Sequence, residues 1–168
     1  TAVPRQLAHT LVPENAPVRL RLENIRSDMV QDVSLAVHDG ELLGIGGLQG
    51  QGQADLLRVI FGDIPFSGSM TLSGEAVHFK HPQQAMQQGV ALVPGDRGAE
   101  GLLLIRSILE NFQLPSWRRY GFPLKMKMAH ADAARAADEL SLVRSSLEAP
   151  VSSLSGGNAQ KVVIGKWL

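Results

Sequence analysis

Short runs in the N-terminal half of the chain alternate apolar with polar residues, which is the period of half-exposed β-strands. Residues 18–25 and 33–37 are two such runs. Residues 67–80 hold two more, divided by Ser73 and Gly74, a pair that favours a tight turn. The pattern therefore predicts antiparallel strands in this part of the chain.

Two other runs are apolar on both faces. Residues 42–45 read LLGI and residues 90–93 read VALV. Strands that are covered on both sides have such uninterrupted apolar runs. We therefore expect a parallel core built around residues 41–61 and 90–94.

Apolar residues at helical spacing dominate the rest of the chain. Residues 54–61 and 82–88 predict short helices, and each is followed by a glycine that can end a helix. Residues 107–147 are mainly helical by the same criterion, and another amphipathic helix is predicted over residues 159–168. Strands and helices in this arrangement predict an α/β fold.

Composition narrows the function classes. The chain has 168 residues, of which 44% are hydrophobic, and this is enough for the core of one domain. Its formal net charge of +0 disfavours a protein that neutralises nucleic-acid phosphates, so no nucleic-acid partner is expected. Cysteine is absent, so disulfides are excluded. No two histidines stand at i and i+4, and no metal site is predicted.

The apolar runs and the N-terminal residues bear on the cellular location of the protein. The longest apolar runs are far shorter than the roughly 20 residues of a membrane-spanning helix, so no direct membrane insertion is expected. Residues 1–17 contain three prolines and no signal-peptide pattern, and we interpret them as a leader or linker. A cytoplasmic location is expected.

A glycine-rich loop joins a predicted core strand to the helix that follows it. Backbone N–H groups and the helix dipole at such a junction favour a phosphate. The spacing of Gly47 and Gly52, with Gly50 between them, matches the P-loop pattern G-x-x-x-x-G-K-[ST]. However, Gln53 replaces the lysine and Ala54 replaces the hydroxyl residue that holds Mg²⁺.

These two replacements weaken the predicted phosphate site. Losing the charged hydrogen bonds should cost about 1.5–3 kcal/mol, which corresponds to roughly one to two decades of affinity. Weak or absent ATP binding is therefore expected at this loop. A sharp backbone turn that only packs the helix against the sheet is the alternative interpretation.

A second glycine-containing string, LSGGNAQK, precedes the last predicted helix. A serine hydroxyl and several N–H groups converge there on a spot that suits an anion. The candidate binding residues are Leu154, Ser155, Gly156, Gly157, Asn158 and Gln160. An ordinary helix N-cap is the alternative interpretation.

The string LSGGNAQK resembles LSGGQ, the signature motif of the nucleotide-binding domains of ABC transporters. Together with the following VVIGKWL it is similar to the variant in carbohydrate importers. The resemblance covers most of the chain: GELLGIGGLQGQGQADLLRVIFG is similar to the Walker A region, VALVPGDRGAEGL to the Q-loop segment, and SILENF to the start of the helical subdomain. More closely, the chain resembles the second of two fused ATP-binding domains in ribose, galactose and xylose importers.

The resemblance implies a P-loop NTPase-like ABC ATPase core, a mixed sheet with helices, that carries a helical subdomain. The Q-loop region would comprise Pro94, Gly95, Asp96 and Arg97. Gly95 stands where the family has Glu or Gln, and Asp28 and Met29 stand where an aromatic residue often stacks on adenine. The family's Walker B strand, catalytic Glu and switch His would lie beyond Leu168, so we expect the C-terminal part of the core to be missing.

The function implied by the resemblance is that of an ATP-binding subunit, which couples ATP binding and hydrolysis to carbohydrate uptake. ATP and Mg²⁺ are the implied cofactors, bound weakly or not at all by this chain's own loop. Two ABC nucleotide-binding domains face each other head to tail, so Ser155 and its neighbours would complete a partner's ATP site. Without the Walker B carboxylate and the lysine, no autonomous ATPase activity is expected.

Membrane permease subunits are the other implied partners, and the protein would be peripheral to the membrane on its cytoplasmic side. Residues 93–101 and 107–122 would receive the permease. This surface would include Trp117, Arg118 and Arg119. The alternative is that Trp117 and Phe122 are core residues and that the two arginines belong to a solvated face.

Two other functions are alternatives. One is a non-hydrolytic regulatory or structural half that binds no nucleotide itself. The other is a small P-loop kinase or GTPase, which the lost lysine and hydroxyl and the LSGGN string disfavour.

The predicted domain organisation has four segments. They are a leader or linker at 1–17, a nucleotide-binding core with N-terminal antiparallel strands at 18–106, a helical subdomain at 107–153, and the signature motif with its helix at 154–168.

Overall fold

Residues 15–168 are described by the computed structural model, and the chain divides into two units, Thr1–Leu92 and Val93–Leu168. Most of the predicted leader at 1–17 therefore lies outside the described residues. The boundaries that the sequence predicts after residues 17, 106 and 153 stay predictions.

A four-stranded antiparallel sheet is the framework of the first unit. Its strands are β1 (Val18–Arg26), β2 (Val33–His38), β3 (Ser67–Leu72) and β4 (Glu75–Val77). Their spatial order is β2-β1-β3-β4, and Leu22 of β1 stands opposite Leu35 of β2 and Met70 of β3. The alternating runs predicted all four strands correctly.

The sheet follows from the alternation because one face of it is buried. Leu22, Ile25 and Met70 are fully buried, and charged or polar residues occupy the positions between them. Ser73 and Gly74 both have positive φ, 53° and 85°, and form the tight turn between β3 and β4. The predicted turn residues therefore have the backbone conformation that such a turn requires.

Two short helices complete the first unit. They are α1 (Gln53–Ile60), which buries Leu56 and Val59, and α2 (Pro82–Gln87), which buries Ala85. Left-handed glycines follow both, as their positions in the sequence predicted. These two helices are therefore confirmed.

The predicted parallel core strands at 42–45 and 90–93 are wrong, because neither segment is a strand. Leu42 is 93% exposed, and Val93 is also exposed. Within residues 15–168, no backbone hydrogen bond joins 42–45 to another segment. An uninterrupted apolar run needs neighbouring strands to pair with it and cover it, and the described part of the chain supplies none.

Three helices form the core of the second unit. They are α3 (Ile108–Gln113), α4 (Met126–Glu139) and α5 (Gly156–Gly165). Shorter helical turns lie at Arg97–Gly101, Trp117–Tyr120 and Val151–Ser153. The helices bury one cluster that includes Ile108, Phe112, Ala133, Ala137, Leu142, Val162 and Val163. The helical prediction for this region is confirmed, but α5 begins at Gly156 rather than at Ala159.

The start of α3 is fixed by two interactions that the sequence analysis missed. Ser107 and Glu110 form a capping box, in which each side chain accepts a hydrogen bond from the other residue's backbone N–H. The S-x-x-E spacing is a known signal for this arrangement. Asn111 is fully buried, accepts from the Leu103 N–H at 2.8 Å and donates to the Leu103 carbonyl at 3.0 Å. Its amide thereby holds the preceding loop against α3.

The capping box predicts a pH-dependent stability. Hydrogen bonds from the backbone and hydroxyl of Ser107 lower the pKa of Glu110. A carboxylate whose pKa is lowered in the folded state stabilises the fold at pH values above its unfolded-state pKa of about 4.3. This stabilisation is lost as the pH falls through the folded-state pKa. We expect the Tm difference between the wild type and Glu110→Gln to shrink toward zero as pH is lowered from 7 to 3. A difference that is constant over this range would contradict the assignment.

Gly165 predicts a second stability effect. An added Cβ would clash with the buried ring of Phe112 and would lie 2.8 Å from Leu140 Cδ1. Because overpacking a core typically costs about 1–3 kcal/mol, Gly165→Ala should lower the free energy of unfolding in urea by that amount. Gly157→Ala on the same helix is the control, because a Cβ there meets no atom within 4 Å. Equal losses in the two variants would contradict the packing argument.

Candidate functional site

The glycine loop of the first unit ends at Gly52, which caps the start of α1. Gly52 has φ 88°, a left-handed conformation that favours glycine. A Cβ at this position would also collide with the carbonyl oxygen of Met29. The backbone conformation and the close approach of Met29 therefore both require glycine here.

The side chain of Gln53 folds back over this loop. Its Nε2 donates to the carbonyl oxygen of Leu48 at 3.1 Å and lies so close to Gly47 that no Cβ would fit between them. The side-chain oxygen of Gln51 accepts from the Leu48 N–H at 3.3 Å. The loop's own amide side chains therefore bind both backbone groups of Leu48.

The chemistry of this loop differs from that of a phosphate site with a lysine. Gln53 presents a neutral amide, and Ala54 has no hydroxyl that could bind Mg²⁺. Among residues 15–168, no group of three or more His, Cys, Asp or Glu side chains could hold a metal ion. Gln53 and Ala54 therefore supply neither the cation nor the hydroxyl of the P-loop pattern, and we derive no catalytic step there.

A cavity of about 570 Å³ lies beside the loop. Its lining includes Met29, Ile45, Gly46, Gly52 and Gln53. This volume is typical of a small-molecule pocket. Met29 is 52% exposed, and none of the described residues that line the cavity is aromatic. At Met29, where the resemblance implies an aromatic ring, the cavity wall is thus formed by a flexible thioether.

The signature string lies at the start of α5 in the second unit. Ser155 is the N-cap, and its Oγ accepts hydrogen bonds from the Asn158 backbone N–H at 3.4 Å and from Asn158 Nδ2 at 3.1 Å. Gly156 and Gly157 form the exposed first turn. The N-cap interpretation is therefore correct for the local geometry. It leaves early helix N–H groups available, since these have no partner within a helix.

The rest of the string joins α5 to its surroundings. Leu154 packs against the helical core, and Gln160 is half-buried. Lys161, which the sequence analysis did not single out, donates from Nζ to the carbonyl oxygen of Ser141 at 2.7 Å. No local sequence signal could have found this contact, because the two residues are far apart in the chain.

The Q-loop region lies in the same unit as the signature string. Asp96 accepts hydrogen bonds from the N–H groups of Gly98 and Ala99, each at 3.0 Å, and so caps the turn at Arg97–Gly101. A Cβ on Gly156 would lie 3.0 Å from Arg97 Nη2. The structure therefore brings a guanidinium of the Q-loop region against the signature glycine, which the sequence did not predict.

The other two Q-loop residues have simpler surroundings. Pro94 packs beside Gly101, and Gly95 is exposed, with no atom within 4 Å of an added Cβ.

Lys166, at the C-terminal end of α5, donates from Nζ to the Gly101 carbonyl at 2.9 Å, and burial lowers the pKa of this lysine. The turn that carries Arg97 is thus attached to α5 at its far end.

The segment that follows α3 exposes large aromatic side chains. Trp117 is 58% exposed and Phe122 is fully exposed, whereas Tyr120 is buried. The interpretation of Trp117 and Phe122 as core residues is therefore wrong. Arg118 and Arg119 are also exposed.

A family model described as "ABC transporter" matches residues 30–168. The chain belongs to the ABC transporter family. A ribose import ATP-binding protein of Rhizobium etli is 45% identical over 82% of this ABC chain and 28% of the relative. An arabinose import ATP-binding protein of Mannheimia succiniciproducens is 36% identical over 92% of the chain and 32% of the relative. The chain thus spans about a third of the length of these curated relatives.

Solved structures show the same fold. A nucleotide-free ATP-binding cassette from an ABC transporter matches 89% of the chain and 64% of its own length with a TM-score of 0.74 and 22% identity. A dimeric ATP-binding cassette bound to ADP and Pi matches 89% of the chain and 68% of its own length with a TM-score of 0.71 and 19% identity. The α/β fold class with an ABC ATPase core is therefore confirmed. Among residues 15–168, no helix is long and apolar enough to cross a membrane.

The contact between Gln53 and Leu48 makes a prediction about loop mobility. Gln53→Ala removes the hydrogen bond that closes the loop, which is worth about 0.5–1.5 kcal/mol. We expect amide hydrogen exchange across residues 48–52 to rise by about two- to tenfold, measured by NMR. Ala54→Ser is the control and should leave these rates unchanged. Unchanged rates in Gln53→Ala would show that its side chain does not hold the loop.

Proposed function

We propose that this chain is part of the ATP-binding subunit of a carbohydrate ABC importer, in which its signature motif completes the nucleotide site of a partner domain. The observation that carries the proposal is the exposed start of α5, with the Ser155 hydroxyl and the N–H groups of Gly156 and Gly157. The ribose and arabinose import proteins among the relatives supply the substrate class. The assembled importer would couple ATP binding and hydrolysis to sugar uptake.

The chain's own glycine loop would be a degenerate Walker A motif. Gln53 supplies no charge to the β- and γ-phosphates, and Ala54 supplies no ligand to Mg²⁺. A phosphate would also have to displace the Gln53 side chain from Leu48 and Gly47. ATP would therefore bind weakly or not at all at this loop, and the chain alone would not hydrolyse it.

A head-to-tail partner domain would hold the ATP that the signature motif meets. The helix dipole, the early N–H groups of α5 and the Ser155 hydroxyl all favour an anion at this point. Hydrogen bonds to a charged γ-phosphate exist only when ATP is present, so association of the two domains would depend on ATP. Since the chain spans only about a third of its relatives, their remaining length leaves room for the partner domain that this role requires.

The surface after α3 would contact membrane permease subunits. Trp117 and Phe122 are exposed there. Large apolar side chains that are exposed at a surface favour contact with a partner. This contact would place the protein at the cytoplasmic face of the membrane.

A non-hydrolytic regulatory half that binds no nucleotide is the second candidate. The observation that favours it is the hydrogen bond from Gln53 Nε2 to Leu48, because this contact fills the loop with the chain's own side chain. Whether a lysine and a hydroxyl at positions 53 and 54 restore nucleotide binding to the loop separates the two candidates.

Calorimetric titration with Mg²⁺-ATP tests the loop. We expect no micromolar binding by the wild type and at least about tenfold tighter binding by Gln53→Lys with Ala54→Ser, because charged hydrogen bonds return. Gln53→Met with Ala54→Ser is the matched control, since methionine removes the amide without adding charge.

Each outcome has a distinct meaning. Micromolar binding by the wild type would show that the loop holds phosphate without a lysine, and the degenerate motif would be wrong. If neither variant binds, the loop is not a disabled Walker A motif, and the regulatory half is the better description.

A further inference from the structure

The hydroxyl of Ser155 is surrounded by donors from a single residue. Asn158 donates to Ser155 Oγ from its backbone N–H at 3.4 Å and from its side-chain Nδ2 at 3.1 Å. Both contacts come from the first turn of α5, and both lie at the exposed surface.

The orientation of the Asn158 amide is fixed by a third contact. The backbone N–H of Val143 donates to Asn158 Oδ1 at 3.1 Å. A backbone N–H can only donate, so the amide oxygen must face Val143 and the NH₂ group must face Ser155. The hydrogen-bond network itself therefore assigns the two ends of the amide.

This assignment determines what the Ser155 hydroxyl can do. A serine hydroxyl has one proton to donate and two lone pairs that accept. Asn158 donates to both lone pairs. The proton is the only hydrogen-bonding capacity left, so the hydroxyl faces any incoming ligand as a donor, and a charged oxygen is its best acceptor.

The turn that carries Val143 is itself held by α5. Lys161 Nζ donates to the Ser141 carbonyl at 2.7 Å, one helical turn after Asn158. Ser141 has a positive φ of 50°, which marks the tight turn that follows α4. Asn158 and Lys161 of α5 therefore each form a hydrogen bond with the turn at residues 141–143.

We propose that Asn158 is a positioning residue that fixes the Ser155 hydroxyl as a hydrogen-bond donor toward a phosphate oxygen, and that Lys161 holds the turn on which this orientation depends. The inference rests on the proposed function, in which Ser155 meets a nucleotide held by a partner domain. It adds the direction of the hydrogen bond and the residue that imposes it.

The first test uses NMR on the free chain. Ser155→Ala should shift the side-chain amide resonances of Asn158, and Asn158→Ala should speed amide exchange at Val143 by about two- to tenfold. Asn158→Asp should leave Val143 protected, because a carboxylate oxygen still accepts from its N–H. If the Asn158 side-chain resonances do not respond to Ser155→Ala, the inference is wrong, whatever the nucleotide does.

The second test measures Mg²⁺-ATP-dependent association by analytical ultracentrifugation. The partner is a copy of this chain with Gln53→Lys and Ala54→Ser, which would hold the nucleotide. In Asn158→Asp the side chain can no longer donate to Ser155, so the hydroxyl would turn to donate to the carboxylate. We expect Ser155→Ala and Asn158→Asp each to weaken association by about tenfold or more. We also expect the double variant to be weaker by less than the product of the two effects.

The outcomes separate the inference from the proposed function. Multiplicative effects of Ser155→Ala and Asn158→Asp would show that Asn158 acts independently of the hydroxyl, which overturns the inference and leaves the proposed function intact. No ATP-dependent association by the unaltered chain with the loop-restored copy would overturn the proposed role of the signature motif itself. The NMR results on the free chain would still decide whether Asn158 directs the hydroxyl.

Discussion

The backbone N–H groups at a helix start have no partner within the helix, and both candidate sites are built on this constraint. At α1 no side chain caps the helix, and Gly52 turns the chain into it with a left-handed backbone. At α5 the Ser155 hydroxyl accepts from the first turn, and Asn158 adds a second donor. The start of α1 is thus set by backbone conformation without a side-chain cap, whereas the start of α5 is capped by a side-chain network.

The first unit shows which features a local pattern can predict. The period of β1 was readable because alternation encodes one buried face, which Leu20 and Leu22 share, whereas Ile25 is buried after a shift in register that alternation does not predict. The uninterrupted apolar run at 42–45 was an equally clear pattern. A strand also needs a neighbouring strand to pair with, and the hydrophobic pattern of a segment does not say where that neighbour lies. The glycines of the loop were likewise visible, whereas the fold-back of Gln53 onto Leu48 is a choice of side-chain conformation.

The second unit shows the same limit for the candidate site. Ser155 was found because an N-cap and its glycines are adjacent in sequence. The contacts that orient it were not found, since Val143 and Ser141 lie well before α5 in the chain and reach it only through the packing of α4. Arg97 beside Gly156 is a third contact of this kind. Spacing thus predicted the groups that would bind, and tertiary contacts supply their orientation.

The missing side chain of Gly165 has a mechanical consequence for the opposite end of α5. Because the buried ring of Phe112 occupies the space that a side chain at position 165 would need, an axial shift of α5 that brought Ile164 or Lys166 to this place would displace the ring. A helix of 10 residues is about 15 Å long and nearly rigid. The position of the Ser155 hydroxyl along the helix axis therefore depends on the packing of Gly165 against Phe112 at the other end of α5.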